Sequence, residues 1–304
     1  MNDNASLNRS AAFASIAVAL LLVGMKVWAV FSTGSTAMLG SLADTTLDLV
    51  ASLATLAGVW VAAQPDDENH RFGHGKAEAL AAMFQVVLIS ISALSLAFRA
   101  VNQWIAGARP EGAEGGIVVS VIAMVATVAL LGWQRYVIRK TKSLAISTDH
   151  VHYQSDILLN LAVIAALALD QYAGIAGADP FFGLAIALWL GWGAWGASQQ
   201  AIEQLMDHEW PEERRQAFLE VVARHPEIKG LHDLRTRTSG DRDFVQFHLA
   251  VNGDMTVRQA HVIMDEVEAI LKKEFPGVEI LIHPDPEGHV DPTDMSSEDL
   301  LAKL

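Results

Sequence analysis

The sequence alternates between long apolar segments and short polar breaks over its first two-thirds. A helix needs about 20 apolar residues to cross the hydrocarbon core of a bilayer, and six segments approach or exceed that length. They cover roughly residues 11–32, 37–63, 79–105, 116–138, 144–169 and 180–203. The pattern therefore predicts an α-helical membrane bundle of six transmembrane helices, which we assign to residues 8–208.

The first apolar segment has a second interpretation, a cleaved secretory signal, because Arg9 precedes its apolar run. No small-x-small cleavage site follows the run. Lys26 interrupts the segment before it resumes through Phe31, and five similar segments come after it. We therefore interpret it as the first membrane helix.

The basic residues in the breaks predict which side of the membrane each break faces. The breaks after the second and fourth segments contain Arg71, Lys76, Arg139, Lys140 and Lys142. The breaks after the first, third and fifth segments contain Arg109 alone. Cytoplasmic loops are enriched in Lys and Arg, and an even number of spans returns the chain to its starting side. Both termini are therefore predicted to be cytoplasmic.

The last third of the chain has shorter elements and an acidic composition. From residue 201 to the end, 22 Asp or Glu stand against 11 Lys or Arg, so −11 of the formal net charge of −14 lies here. Helical spacing recurs in residues 211–226 and 256–275, and strand-like alternation in 230–240, 243–253 and 277–286. The order αββαβ predicts a small α+β domain over residues 209–290, followed by a flexible tail over 291–304.

Two pairs of ionisable residues lie within the apolar segments. Asp44 and Asp48 are four apart in the second segment, and His152 and Asp156 are four apart in the fifth. A spacing of four places both side chains on one face of a helix, and ionisable residues inside membrane helices usually face the bundle interior and mark ion pathways. If the pairs face each other, three carboxylates and one imidazole form a tetrahedral site suited to Zn²⁺.

Structural alternatives remain for single members of this set. Asp48 or Asp156 could cap a kink or form an interhelical hydrogen bond. The "HVH" string before Asp156 is also similar to the ligand strings of soluble metallohydrolases, but it lies in a helix and not at a strand end. Because the sequence contains no cysteine, thiolate ligands and disulfides are excluded.

Two further clusters lie outside the apolar segments. Asp67, His70 and His74 fall in the break after the second segment, where a solvated loop is the alternative interpretation. Histidines on neighbouring predicted elements of the last third form the other cluster, for which scattered surface histidines are the alternative. Its members are His232, His248, His261, His283 and Asp285. His225 and His289 are expected to be surface residues.

These motifs resemble the cation diffusion facilitator family, specifically its bacterial zinc/iron efflux branch. The matching stretches are "GSTAMLGSLADTTLD", "HRFGHGKAE", "DHVHYQSD" and "GLHDLRTR" with the following "VQFHL", "AH" and "IHPDP". Similar spacing extends from about residue 8 to residue 286.

The resemblance implies a role for each cluster. The pairs Asp44/Asp48 and His152/Asp156 would be the intramembrane transport site, the loop cluster a membrane–cytoplasm site, and the last cluster a binuclear cytoplasmic site. Lys76 and Asp207 match a charge pair that joins the membrane and cytoplasmic domains.

Pro284, between His283 and Asp285, departs from the pattern of the family. It lacks the backbone N–H but keeps a carbonyl that could bind metal. The resemblance also implies a homodimer in the bacterial inner membrane, joined largely through a metallochaperone-like tail.

The sequence and the resemblance together predict a secondary transporter that exports Zn²⁺ from the cytoplasm in exchange for protons. Fe²⁺, Cd²⁺, Co²⁺ and Mn²⁺ also suit three oxygens and one nitrogen. His152 is the expected proton carrier, because a protonated imidazole cannot bind metal.

Zn²⁺ is expected as substrate and regulatory ion, with no organic cofactor and no nucleic-acid partner. The sequence contains no "GxxxxGK[ST]" motif for ATP binding. The rival functions are a membrane metal sensor that signals through its tail and a membrane metallohydrolase.

Overall fold

A computed structural model describes residues 2–33, 36–106, 117–173, 178–289 and 299–303. The chain separates into two compact units, Met1–Ile202 and Glu203–Leu304. Each unit has its own buried core, so we describe them in turn.

The first unit consists of long helices at the positions that the apolar pattern predicts. They are α1 (Asn2–Thr33), α2 (Thr36–Ala62), α3 (Lys76–Ala106), α4 (Ile117–Thr141), α5 (Leu144–Ala173) and α6 (Ala178–Leu205). The largest difference is at α1, which begins nine residues before the predicted position. Leu7 packs against buried Ala11 and Ala12, so this first part of α1 belongs to the bundle and is not a polar extension.

Within the described residues, four helical stretches are long and apolar enough to cross a membrane. They are Asp3–Phe31, Asp44–Ala62, Lys76–Ala106 and Pro180–Leu205. Helix α5 contains two carboxylates and two histidines in its first half, and α4 ends in basic residues. Six long helices are thus observed, and six membrane crossings stay a prediction.

Small residues allow the helices of the first unit to pack closely. Ala11, Ala12, Ala81 and Ala145 form one buried cluster with apolar side chains of α2 and α4. Gly58 of α2 lies so close to Ala81 that a Cβ atom at position 58 would clash with it. Such close approach through small residues is typical of helices that associate in lipid.

The second unit has the predicted order αββαβ. Its elements are α7 (Glu212–Val222), β1 (Gly230–Ser239), β2 (Arg242–Val251), α8 (Val257–Glu274) and β3 (Val278–Pro286). The sheet order is β1-β2-β3, with β1 antiparallel and β3 parallel to β2. Phe218, Phe247 and Leu271 are buried in a core between the helices and the sheet.

Local sequence signals explain where the elements of the second unit begin and end. Gly240, with φ of 64°, makes the tight turn between β1 and β2, a conformation that favours glycine. Thr256 caps α8 in a capping box with Gln259, in which each side chain binds the other residue's backbone N–H. These two signals fix the length of the hairpin and the start of the helix.

Two expectations about the second unit need correction. His225 is not a surface residue: it is 8% exposed, and its Nε2 lies 3.0 Å from Glu266 Oε2. Residues 299–303, expected to be part of a flexible tail, lie against β1, where the Leu300 N–H donates to the Leu231 carbonyl at 2.8 Å. The apolar side chains of Leu300 and Leu301 explain this, because both pack on the core. Residues 290–298 and 304 of the expected tail lie outside the described residues.

Candidate metal centres

Three of the four residues predicted for the intramembrane site meet between α2 and α5. Asp48, His152 and Asp156 each offer one ligand atom, and these atoms all lie within 4.8 Å of one another. His152 Nε2 is 2.9 Å from Asp48 Oδ1, and the His152 side chain is buried while both carboxylates are half-buried. The four-residue spacing on α5 presents His152 and Asp156 to α2 from successive turns.

Neighbouring hydrogen bonds hold α5 in position at this group. The Tyr153 hydroxyl donates to the Ser15 carbonyl at 3.1 Å and lies 2.9 Å from Ser52 Oγ. Tyr153 is fully buried, so these contacts connect α5 to α1 and α2 one residue away from His152. The ligand side chains therefore project from a helix that is fixed on two sides.

Asp44 lies apart from these three residues. Its carboxylate is 60% exposed, and Oδ2 is 3.7 Å from Nη2 of Arg99 on α3. Within the described residues, Asp44 is not part of the group that could hold a metal. The structure thus brings together Asp48, His152 and Asp156, and the fourth ligand stays a prediction.

The second group lies in the loop between α2 and α3 and contains Asp67, His70 and His74, with ligand atoms again within 4.8 Å. Asp67 Oδ1 accepts the backbone N–H groups of Asn69 and His70 at 2.8 and 2.6 Å. The hydrogen bond from the His70 backbone is the main cause that lowers the pKa of Asp67 below its ordinary value. The carboxylate is therefore ionised and available to a cation over a wide pH range.

The two imidazoles of the loop group lie against each other. Their ring centroids are 4.5 Å apart, and His74 Nε2 is 3.4 Å from Asp67 Oδ2. His74 Nδ1 is buried and has no hydrogen-bond partner within the described residues. Gly73, with φ of 76°, reverses the chain between the two histidines and allows the loop to bring them together.

The third group lies on the sheet of the second unit. The strand register places His232 on β1 opposite His248 on β2, and His248 opposite His283 on β3. Asp285 Oδ2 is 2.8 Å from His248 Nδ1 and 3.3 Å from His232 Nε2. His232, His248 and Asp285 offer ligand atoms within 4.8 Å of one another, and Asp285 is 3% exposed.

The other two predicted members of this cluster have different surroundings. His283 is adjacent to the group, with Nε2 at 3.3 Å from Asp285 Oδ1 and its ring 4.6 Å from that of His248. His261 is an exposed residue of α8 whose Nδ1 lies 3.2 Å from Asp265. Within one chain the structure therefore brings four of the five residues together and leaves His261 apart.

Lys76 and Asp207, the predicted charge pair, belong to different units. Lys76 is the first residue of α3, and Asp207 follows α6 with a φ of 54°. Within the second unit, Asp207 Oδ2 lies 3.6 Å from Arg237 Nη1. The pairing of Lys76 with Asp207 stays a prediction.

Two acidic residues near these groups had no role in the sequence interpretation. Asp149, three residues before His152, is fully buried and accepts hydrogen bonds from other helices. The sequence signal that could have indicated these hydrogen bonds is the presence of polar residues, such as Gln85 and Gln134, inside other apolar segments. Asp233 lies at an irregularity in β1 with a φ of 47°, and its Oδ2 is 3.9 Å from His248 Nε2. No strand pattern indicates such a bulge.

Comparison with known protein families covers nearly the whole chain. Residues 12–206 match the model of the cation efflux transmembrane domain, and residues 210–287 match that of the cation efflux protein cytoplasmic domain. The two matches meet where α6 ends, and they confirm the resemblance seen in the sequence motifs.

Similar individual proteins agree with the family models. The cation-efflux pump FieF of Cronobacter sakazakii is 42% identical over 285 residues, which cover 94% of this chain and 95% of that protein. FieF of Serratia proteamaculans is 42% identical over 282 residues, covering 93% and 94%. A solved chain of the proposed zinc transporter CzrB is 43% identical and covers 26% of this chain and 99% of that chain, with a TM-score of 0.24. The family matches and the near full-length relatives show that the chain belongs to the cation efflux family.

Proposed function

We propose that this cation-efflux transporter exports Zn²⁺ from the cytoplasm of a bacterium in exchange for protons, by alternating access. The observation that supports the proposal most is the group of Asp48, His152 and Asp156 between two apolar helices. Burying ionisable side chains at such a position is costly unless they serve an ion or proton pathway. A divalent cation would neutralise the two carboxylates and relieve their mutual repulsion.

Asp44 is the proposed fourth ligand of the transport site. It precedes Asp48 by one helical turn, so both side chains project from the same face of α2. Reaching the metal requires the Asp44 carboxylate to leave Arg99, which lies 3.7 Å away. Three oxygens and one nitrogen would then surround the ion, which is a tetrahedral set suited to Zn²⁺.

The proton coupling follows from the chemistry of the same ligands. An imidazole binds metal only when it is neutral, so metal binding releases a proton and protonation releases the metal. His152 lies within hydrogen-bond distance of Asp48, and proton exchange at this pair would therefore alternate with metal binding. Fe²⁺ and Cd²⁺ are further candidate substrates, because the donor set does not select Zn²⁺ alone.

The loop and sheet groups are proposed as accessory metal sites. Asp67, His70 and His74 would receive ions at the cytoplasmic mouth of the membrane domain. The sheet group and its neighbour His283, together with His261 of α8, which lies apart from them within one chain, would form the binuclear regulatory site. We further propose that the protein is a homodimer in the bacterial inner membrane with both termini cytoplasmic, and that Lys76 and Asp207 connect its two domains.

A metal panel in proteoliposomes with an imposed pH gradient tests this proposal. We expect Zn²⁺ uptake that follows the proton gradient and a reciprocal proton flux that depends on Zn²⁺. Liposomes with the same protein and no pH gradient are the control for passive leak. Metal uptake that is indifferent to the pH gradient would contradict proton exchange, and absence of uptake for every metal would contradict transport.

A further inference from the structure

A set of buried polar residues surrounds Asp149 in the first unit. We call this set the Asp149 network; each of its five members is 0% exposed. The members are Asp149 of α5, Ser15 of α1, Thr55 of α2, Gln85 of α3 and Gln134 of α4. The network therefore connects five helices through side chains that water does not reach.

Both oxygens of Asp149 accept hydrogen bonds from other helices. Oδ2 accepts from Ser15 Oγ at 2.6 Å and from Gln134 Nε2 at 2.8 Å, and Oδ1 accepts from Gln85 Nε2 at 3.0 Å. Gln134 Nε2 also contacts Ser15 Oγ at 3.0 Å, and Gln85 Nε2 contacts Thr55 Oγ1 at 2.5 Å. Donors on α1, α3 and α4 converge on this one side chain, so Asp149 is the centre that holds these helices together.

The network lies on one side of the metal group. Asp149 precedes His152 by three residues, which is about 4.5 Å along α5, and Thr55 follows Asp48 by seven residues, which is about 10 Å along α2. The end of α4 and the break before α5 contain Arg139, Lys140 and Lys142, so the N-terminal end of α5 is predicted to be cytoplasmic. The chain continues from the C-terminal end of α6 into the domain that matches the cytoplasmic model. The network therefore lies between the metal group and the cytoplasmic end of the bundle.

On the other side of the metal group, two charged side chains are exposed. Asp44 lies one turn from Asp48 in the opposite direction, and the side chains of Asp44 and Arg99 are 60% and 65% exposed. The five members of the network are fully buried, whereas the charged side chains of Asp44 and Arg99 on the far side are exposed, although Thr45 beside them is buried. This asymmetry is the one expected of an alternating-access transporter that is closed toward the cytoplasm.

We propose that the Asp149 network is the cytoplasmic gate of the transport site and that Asp149 is the positioning residue that holds this gate closed. The inference rests on the proposed transport function. Opening the gate separates Asp149 from donors on three other helices, and a carboxylate left without donors is costly unless water or a cation replaces them. Water and cytoplasmic metal ions supply that replacement when the path opens, so the gate opens toward a hydrated entrance.

A cysteine reporter tests the gate, since the chain contains no cysteine. Ser52 is fully buried, lies one turn from Asp48 on the side of the network, and contacts Tyr153 at 2.9 Å. Ser52→Cys is labelled in inside-out vesicles with a charged, membrane-impermeant thiol reagent, which reaches it only through a cytoplasmic opening. Adding Asp149→Asn replaces an acceptor oxygen by a donor group, and we expect labelling from the cytoplasmic side to rise by up to about tenfold, the effect of losing one buried hydrogen bond.

Thr148→Ala in the same reporter is the matched control. Thr148 is the buried neighbour of Asp149, but its hydroxyl donates within α5, to the Leu144 carbonyl at 3.0 Å. Gln134→Leu is the second variant, because it removes two donations of the network and leaves the carboxylate in place. It keeps the test valid if Asp149→Asn does not insert.

The outcomes separate the gate from the transport function. A rise in cytoplasmic labelling with Asp149→Asn or Gln134→Leu, and none with Thr148→Ala, supports the gate. Inserted variants that label at the reference rate, or an equal rise with Thr148→Ala, overturn it. Labelling needs no metal, so a failure of Zn²⁺ exchange in proteoliposomes would leave this result unchanged and would be recognised as a failure of the proposed function.

Discussion

Single side chains decide the chemistry of the intramembrane group. In the group of Asp48, His152 and Asp156, the imidazole of His152 is the nitrogen donor. Its Nε2 lies 2.9 Å from Asp48 Oδ1. Nitrogen and oxygen donors together suit Zn²⁺, whereas oxygen donors alone suit harder ions such as Mn²⁺. Under the proposed function, the identity of residue 152 would determine both the preferred metal and the group that exchanges protons.

His152→Asp is expected to retain some transport and to change its selectivity. The variant keeps the number of donors but replaces the nitrogen by oxygen, so the ratio of Mn²⁺ to Zn²⁺ transport should rise by roughly tenfold. Because a carboxylate replaces the imidazole, the acid limit of transport should move to lower pH. Vesicle uptake across a metal panel and a pH series measures both. An unchanged pH profile and selectivity would mean that His152 is not a transport ligand.

Asp67→Asn is expected to weaken metal binding in the loop group at every pH without moving its acid limit. The folded-state pKa of Asp67 is lowered, chiefly by the hydrogen bond from the His70 backbone N–H. The contribution of the ionised carboxylate to metal binding is therefore fully present above the ordinary carboxyl pKa, and it is lost only as the pH falls through the lowered pKa. Asp67 therefore adds no acid limit of its own between pH 5 and 8. Zn²⁺ titrations of the variant and of Glu68→Ala, an exposed loop control, test this between pH 5 and 8. A shifted acid limit in Asp67→Asn would contradict the assignment.

At the scale of elements, periodicity was sufficient to predict the helices and strands but not their side-chain contacts. Apart from the start of α1, which lies nine residues before the predicted position, the apolar segments and the αββαβ order agree with the structure within a few residues, because burial of an apolar face determines both patterns. The strand alternation could not give the register that aligns His232, His248 and His283, and helical spacing could not show that Asp44 lies beside Arg99. The burial of His225 was not predicted, because a single sequence does not show that Glu266 lies within reach of its ring.

Strand register leads to a prediction for the sheet group. His232→Ala with His283→Ala should lower the Zn²⁺ stoichiometry of the second unit and leave its fold intact, since the core is formed by other residues. His289→Ala with His208→Ala is the matched control, because neither residue is a member of the group. Calorimetry of residues 203–304 measures the stoichiometry, and circular dichroism checks the fold. Unchanged stoichiometry in the double variant would remove these histidines from the site.

At the scale of the whole molecule, the proposed transport couples the membrane helices to the cytoplasmic domain. The family models match the transmembrane domain and the cytoplasmic domain to separate stretches, residues 12–206 and 210–287. Lys76 begins α3 at the end of the loop group, and Asp207 lies between α6 and the second unit's first helix. An electrostatic connection between them is the proposed coupling of the two parts.

Lys76→Asp is expected to reduce transport by about tenfold, and adding Asp207→Lys should restore part of it, as contacting residues show coupled effects. Asp207 also lies 3.6 Å from Arg237, so the reversed pair should not recover fully. Arg242→Asp, at the start of β2, is the control for loss of a positive charge. Initial rates in proteoliposomes measure the effect. A double variant no better than Lys76→Asp would leave the two residues uncoupled.

The central claim, that Asp48, His152 and Asp156 are the transport site, is tested most directly by Asp48→Ala. Zn²⁺-dependent proton flux is measured in proteoliposomes with this variant and with Glu68→Ala as control, after size-exclusion chromatography has shown that both are folded and of equal size. We predict that Asp48→Ala lowers the exchange rate by roughly a hundredfold or more, because it loses a metal ligand, while Glu68→Ala stays near the unmodified rate. Exchange by Asp48→Ala at the unmodified rate would contradict the assignment of the transport site.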